Sequence, residues 1–335
     1  MKKSLLALAA LAAVSGTAFA QSSVTLYGRV ALGVEKFSNT AAVINAQNGI
    51  SQLGFKGTED LGGGLKAYFD IRHRFSPESG GLDGTNNGRP FWQSVSKVGL
   101  SGSFGSVDIG RQLTALEGPI NLSDPWGTET VASVANLAAG YSTDATSVAS
   151  PAAKTGDNGG LGRTDVIAYN TPNLSGFSAT VNVGPKRTGV SGTQVTRPNN
   201  FYSLWGQYAA GPIFVGAGTE KNRVGDKNTA ILGSYDFGMA KVMAGYATVD
   251  LLDVAGPTGK NWNVGVTAPF GALVAKVGYN TSKAEGSAIK TKKGAAGVEY
   301  NLSKRTYLYT GYARMTQTSV TAAKSAFDAG ISHSF

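Results

Sequence analysis

Cysteine is absent, and histidine occurs only twice, as His73 and His333. Without thiols there is no disulfide scaffold, thiolate metal site or cysteine nucleophile. Two histidines leave little for a His-rich metal centre or a His-dependent hydrolase. Long apolar runs are missing too. After residue 20 no stretch approaches the roughly 18 apolar residues of a membrane-spanning helix. Charge is sparse, at 15% of residues, against about a quarter in ordinary soluble domains. The chain also lacks a Gly-x-Ser-x-Gly elbow, a His-Glu-x-x-His pair and a phosphate-binding Gly-x-x-x-x-Gly-Lys loop. No catalytic residue, metal or cofactor is therefore expected.

What is present begins with the first twenty residues. Met1-Lys2-Lys3 is a short basic segment, Leu5 to Val14 is apolar, and Ala18-Phe19-Ala20 has the small-x-small form of a cleavage site. This predicts a secretory signal peptide, residues 1–20, cut before Gln21. The remaining chain, 21–335, loses two lysines. Its 28 Lys and Arg against 21 Asp and Glu give a net charge of +7. At the other end, Phe327, Ala329, Ile331, His333 and Phe335 alternate with Asp328, Gly330, Ser332 and Ser334. A strand with one lipid-compatible and one polar face fits this period of two. The terminal Phe335 resembles the assembly signal of Gram-negative outer-membrane barrels.

The same alternation recurs throughout. Phe177, Ala179, Val181 and Val183 oppose Ser178, Thr180, Asn182 and Gly184. Trp262, Val264, Val266 and Ala268 oppose Asn261, Asn263, Gly265 and Thr267. Val24, Leu26, Val30, Leu32 and Val34 oppose Thr25, Tyr27, Arg29 and Glu35. Helical spacing does not describe these runs. A barrel with lipid outside and water inside does, and the 46 glycines fit its many turns.

Short connections with tight-turn chemistry lie at 60–64, 103–106, 172–176, 210–212, 236–238, 269–271 and 301–304. Longer polar segments lie near 38–48, 76–89, 113–162, 185–200, 221–228, 251–260, 283–292 and 317–324. Fifteen connections join sixteen strands, an even number as bacterial barrels require. The expected fold is all-β: a 16-stranded antiparallel transmembrane barrel. Lipid offers no partner to an open edge, so the first and last strands must pair. Sixteen strands leave a lumen too wide for side chains to fill. Phe104, Phe177, Tyr235, Phe237, Phe270 and Tyr300 flank the short turns and form one interface girdle.

Residues 113–162 break the pattern. Glu117, Asp124, Glu129, Asp144 and Asp157 face one base, Lys154, for a net charge of −4. A segment of this length either folds into the barrel and narrows it or lies on the surface as a solvated loop.

Several segments resemble the trimeric general-diffusion porins of Gram-negative bacteria, of the β-proteobacterial type. They are Val24-Thr25-Leu26-Tyr27-Gly28, residues 54–67 (GFKGTEDLGGGLKA), Val98 to Gln112, Tyr169 to Phe177, and Leu302 to Tyr309. The resemblance runs through the mature chain in order. It implies a homotrimer in outer-membrane lipid, an inward-folded third loop at 113–162, and passive diffusion of small hydrophilic solutes and inorganic ions. Members commonly carry bases at the positions of Gln52 and Ala168, and often Arg near Ser94. These departures weaken the anion preference that the net charge suggests.

Parity nominates the pore wall. Lys66, Tyr68, Asp70, Arg72 and Arg74 share one face of a strand. A charge facing mid-bilayer lipid costs about 2–4 kcal/mol, so this face must be the lumen. Arg29 and Lys56 reach the same face. Opposite Glu117 and Asp124, these bases would set up a transverse field. Alternatively, some sit above or below the narrow zone. His73 falls on the outward face, where a subunit interface suits it better than a metal site. An outer-membrane enzyme, a substrate-specific transporter and a secreted soluble β-protein are the competing classes. The basic pI of about 9.5 comes without a basic cluster, so nucleic acid is not an expected partner.

Overall fold

Alternating sequences of this kind can satisfy every backbone group in lipid only by closing into a ring of strands. The structure, a computed structural model, describes residues 23–38, 40–46, 51–82, 91–135, 162–186, 199–223, 225–250, 259–284, 290–318 and 320–335. The expected signal peptide and residues 136–161, with Asp144, Lys154 and Asp157, lie outside the described residues.

Sixteen barrel strands follow one another. They are β1 (Ser23–Phe37), β2 (Gln52–Gly62), β3 (Leu65–Ser76), β4 (Val95–Gly102), β5 (Gly105–Leu113), β6 (Arg163–Asn170), β7 (Phe177–Gly184) and β8 (Phe201–Ala210). Then come β9 (Ile213–Lys221), β10 (Lys227–Asp236), β11 (Lys241–Asp250), β12 (Gly259–Phe270), β13 (Leu273–Ala284), β14 (Lys290–Asn301), β15 (Thr306–Gln317) and β16 (Val320–Ser334). Two short segments, Val43–Ala46 and Gly81–Leu82, pair within the first two long connections. Each barrel strand is antiparallel to the next, and β16 returns to β1 from Arg29↔Ser334 to Phe37↔Ala326. The expected all-β, 16-stranded closed barrel is the observed fold.

Phe335 completes the seam. Its backbone N–H donates to Gly28 O, and Gly28 N–H donates to Phe335 O, both at 3.1 Å. The Phe335 ring lies where a β-carbon on Gly28 would stand, 2.5 Å from it. At the β2–β3 turn Gly62, Gly63 and Gly64 have φ of 85°, 61° and 81°, a left-handed run that side chains resist. Asp60 Oδ1 accepts from Gly62 N at 2.8 Å to close it. At the opposite rim Arg223, fully buried in the β9–β10 connection, donates to Pro185 O at 2.7 Å, Thr164 Oγ1 at 2.7 Å and Asp165 O at 3.0 Å. One side chain thereby ties three strand ends together.

The outward face carries an apolar band. Leu204, Val215, Ile231, Val264 and Val277 are exposed on it. The girdle residues Phe104, Phe177, Tyr235, Phe237, Phe270 and Tyr300 are exposed beside the short turns. Tyr202, Tyr246, Trp262, Tyr312 and Phe327 are exposed towards the other end of the strands. Aromatic rings at both boundaries of an apolar band are what a bilayer selects.

Candidate functional site

The third long connection leaves β5 and turns inward. Ala115, Leu116 and Ile120 pack against Trp205 of β8, Ala230 and Leu232 of β10, and Ala247 of β11. Leu116 N–H donates to Ser203 Oγ at 3.0 Å, and Ala115 N–H donates to Asn182 Oδ1. A 3₁₀ helix, Gly118–Ser123, follows, and its last carbonyl accepts from Asn263 Nδ2 at 2.5 Å. Trp126, Ala132 and Val134 then form a second cluster with Ala295 of β14. Burying a Leu or Ile side chain contributes about 1.5–3 kcal/mol, so the apolar seat holds the loop more firmly than any single polar contact.

Glycines shape this seat. A β-carbon on Gly278 would stand 2.8 Å from Val134 and 2.9 Å from Trp126. One on Gly265 would strike the Pro125 ring, and one on Gly311 would meet Ala132 at 3.0 Å. Gly265 pairs with Gly278, and Gly297 with Gly311, so the inward face of β12–β15 carries a track of four positions without side chains. The loop lies against it.

The inward face of β1–β5 is different. Register puts Arg29, Gln52 and Arg74 in one row. Tyr27, Gly54 and Arg72 form the next, and Lys56, Asp70 and Lys97 the one below. Lys66 pairs with Asp60 and Ser101 beside the β2–β3 turn, six residues from Arg72, at the turn-side mouth. The nominated bases therefore share one face, but Lys66 is apart from the other four.

Aromatic rings space the bases. The Tyr27 ring covers Gly54, whose β-carbon would meet it at 2.6 Å, and the Tyr68 ring covers Gly99 in the same way. Lys56 Nζ lies 5.1 Å and Arg72 Cζ 5.6 Å from the Tyr27 ring centre. Tyr27 donates its hydroxyl proton to Asp70, and Arg72 Nε donates to Tyr27 Oη at 3.1 Å. Arg72 also pairs with Asp70 at 3.3 Å, and Lys97 with Asp108 at 3.2 Å. The sequence reading missed Lys97, Asp108 and the stacking role of Tyr27. All three share the parity of the nominated residues, so the signal was there.

The loop acids take separate roles. Glu129 accepts from Arg29 Nη1 through both oxygens at 2.8 Å and fastens the loop to β1. Glu117 lies half-buried at the start of the loop. Burial first, and Glu220 second, push its carboxyl up to about 8, against the pull of Arg163 and Arg74. Asp124 was expected to face the basic wall. It is instead 4% exposed, and its oxygens accept from Trp126 N at 3.2 Å, Val134 N at 3.2 Å and Thr128 N at 3.0 Å. A tight turn leaves amide groups in need of acceptors, and Asp124 supplies them. Its charge is spent inside the loop.

The loop thus seats on a mainly apolar wall, with Asp328 and Glu220 buried beside it, and the wall it leaves bare is charged. Beneath the loop a cavity of about 350 Å³ is lined by uncharged groups, among them Gln112, Asn170, Thr180, Asn182 and Gln207. On the outer side His73 is buried, with its ring stacked 3.9 Å from Phe91 and Nδ1 2.5 Å from Phe91 O.

A family model described as Gram-negative porin matches residues 7–319 of the chain. Outer membrane porin protein 32 of Delftia acidovorans is 33% identical over 329 residues, covering 92% of this chain and 88% of that protein. Major outer membrane protein P.IB of Neisseria lactamica is 29% identical, covering 91% of each. Among solved structures, an anion-selective porin from Comamonas acidovorans superposes with a TM-score of 0.77 at 26% identity. It covers 94% of this chain and 100% of that one.

Proposed function

The chain belongs to the Gram-negative porin family, and from that premise we propose that its outer-membrane channel is weakly anion-selective, trimeric and without any catalytic step. As a porin it sits in the outer membrane and lets small hydrophilic solutes diffuse passively through a water-filled barrel. The observation that carries the selectivity is the bare wall of β1–β4. There Arg29, Lys56, Lys66, Arg72, Arg74 and Lys97 outnumber Glu35, Asp60 and Asp70. The loop opposite withdraws Asp124 from the pore. The related solved structure is named for its anion selectivity. Arg29, Lys56, Arg72 and Arg74 are assigned to the pore lining, Lys66 to its turn-side mouth, and Glu117 to the acidic side of the constriction. Residues 113–162 serve as the constriction loop, residues 1–20 as a signal peptide cut before Gln21, and Phe335 as the assembly signal.

The trimer reading rests on the outer face. No Tyr or Trp points outward from strands β1–β5, whereas Tyr169, Tyr202, Tyr235, Tyr246, Trp262, Tyr300 and Tyr312 are exposed around the rest of the barrel. Interfacial Tyr and Trp mark lipid contact, so the arc whose strands lack them, with half-buried Trp92 of the β3–β4 connection folded against Phe55, suits protein. Val24, Leu26, Val34, Val98 and Leu100 give it an apolar surface, with Phe91 at its rim. Proteoliposomes loaded with the purified protein are expected to swell in neutral sugars at rates that fall smoothly with solute mass. Unheated samples should migrate as a cross-linkable trimer. No swelling, or uptake of one sugar with saturation, contradicts free diffusion. A monomer in unheated, cross-linked samples contradicts the trimer.

A further inference from the structure

The outward face of strands β12–β14 carries two rows set by register. Phe270, Leu273 and Tyr300 form the lower row, beside the short turns. Lys260, Lys283 and Lys290 form the upper row, ten residues along each of the three strands. All three lysines are exposed. At about 3.3 Å per residue and a tilt of about 40°, ten residues climb about 25 Å along the membrane normal. That is about the height of the apolar band of such barrels. Between the rows the outward residues of β12 and β13, Val264, Val266, Ala268, Ala275 and Val277 among them, carry no charge, and on β14 Lys292 is followed downwards by Gly294, Ala296 and Val298. The lysines therefore stand where acyl chains end and headgroups begin.

Two further cations extend the patch. Lys292 lies on the same face of β14, two residues below Lys290. Arg314 of β15 pairs with Gly294, one step below Lys292. Both are exposed. Among the described residues, no Asp or Glu shares the outward face of β12–β15, and the one neighbouring acid is Asp250 on β11, two residues beyond Thr248, the partner of Lys260. Lysines directly opposite one another across strands are mutually destabilising. Three in one row, with two more adjacent, make sense when an anion of several charges lies across them. The patch is also on the arc that carries outward Trp262, Tyr279 and Tyr312, the side facing lipid rather than a sister subunit.

We propose that Lys260, Lys283, Lys290, Lys292 and Arg314 form a docking surface for the phosphate groups of lipids in the leaflet at the long-loop end of the barrel. The occupant is a phosphorylated lipid headgroup and not free phosphate, because the row lies at headgroup height with apolar barrel surface directly beneath it for acyl chains. Charge-assisted contacts from lysine and arginine to phosphate oxygens would hold it.

The test uses the delipidated, full-length assembly in detergent and native mass spectrometry, with bisphosphorylated lipid A as probe. Its dephosphorylated form and inorganic phosphate are the comparisons. The phosphorylated lipid is expected to bind, and the dephosphorylated lipid to bind at least tenfold more weakly. Millimolar inorganic phosphate should not displace it. With each basic contact worth about fivefold, the combined variant K260Q/K283Q/K290Q should lose more than tenfold in affinity. Lys304→Gln, in the short β14–β15 turn, should lose none. Raising the salt on the unmodified protein should weaken binding as well, a readout that needs no variant. Unchanged conductance of the triple variant separates this proposal from the channel itself. Equal binding by the triple variant, equal binding of the dephosphorylated lipid, or displacement by inorganic phosphate overturns it.

Discussion

Replacing Arg72 and Arg74 together by glutamate is expected to turn an anion-preferring pore into a cation-preferring one. Both side chains lie on the bare inward wall, one row apart, opposite the inward loop. At about 7 Å in water, reversing one charge shifts the energy of a monovalent ion by about 1.2 kcal/mol, with opposite signs for anion and cation. Screening at about 0.1 M salt roughly halves that. Two reversals should therefore move the chloride-to-potassium permeability ratio by more than tenfold. The companion change Gln52→Arg should act in the other direction, since Gln52 sits between Arg29 and Arg74 in one row. Reversal potentials in a salt gradient read both. Equal potentials for the Arg72/Arg74 variant and the parent, with folded barrels in each case, would place the selectivity elsewhere in the lumen.

Leucine at Gly278 is expected to lower single-channel conductance and the temperature at which the barrel denatures. The loop reaches the β13 wall only because position 278 has no side chain. A single β-carbon there already falls within 3.0 Å of Val134 and Trp126. A leucine must push both away from the wall, and away from the wall is into the lumen. Overpacking of this kind costs about 1–3 kcal/mol, enough to strain the Arg29–Glu129 pair that fastens the loop's other side. Gly294→Leu is the control. It is on the neighbouring strand, faces outward, and its β-carbon would meet nothing within 4 Å. If Gly278→Leu conducts like the parent, the loop does not rest on the glycine track.

The barrel was legible because its forces are local. Lipid on one face and water on the other impose alternation on each strand separately. Strand β7 falls at 177–184 as the alternation of Phe177 to Gly184 implied, and each short turn lies where Gly, Asn and Asp cluster. Parity also sufficed to put Arg29, Lys56, Lys66, Arg72 and Arg74 on one face, since no register irregularity separates Arg72 and Arg74 from their β2 partners.

Long-range contacts were not legible. Asp124 reads as a pore acid in sequence. It becomes a turn acceptor only once Trp126, Thr128 and Val134 fold around it. The inward apolar residues Trp205, Leu232 and Ala247 look misplaced in a water-filled tube until the loop covers them. Gly265 and Gly278 read as ordinary strand glycines, because their reason lies some 140 residues away in Pro125, Trp126 and Val134. The heights of the bases along the pore depend on register, which separates Lys66 from its nominated partners.

The most direct test of the account is the zero-current potential of the purified, folded protein in a planar bilayer under a potassium chloride gradient. Stepwise conductance with a potential shifted modestly towards chloride is the predicted result. No conductance from a correctly folded and inserted barrel, or a potential set by potassium, would contradict it.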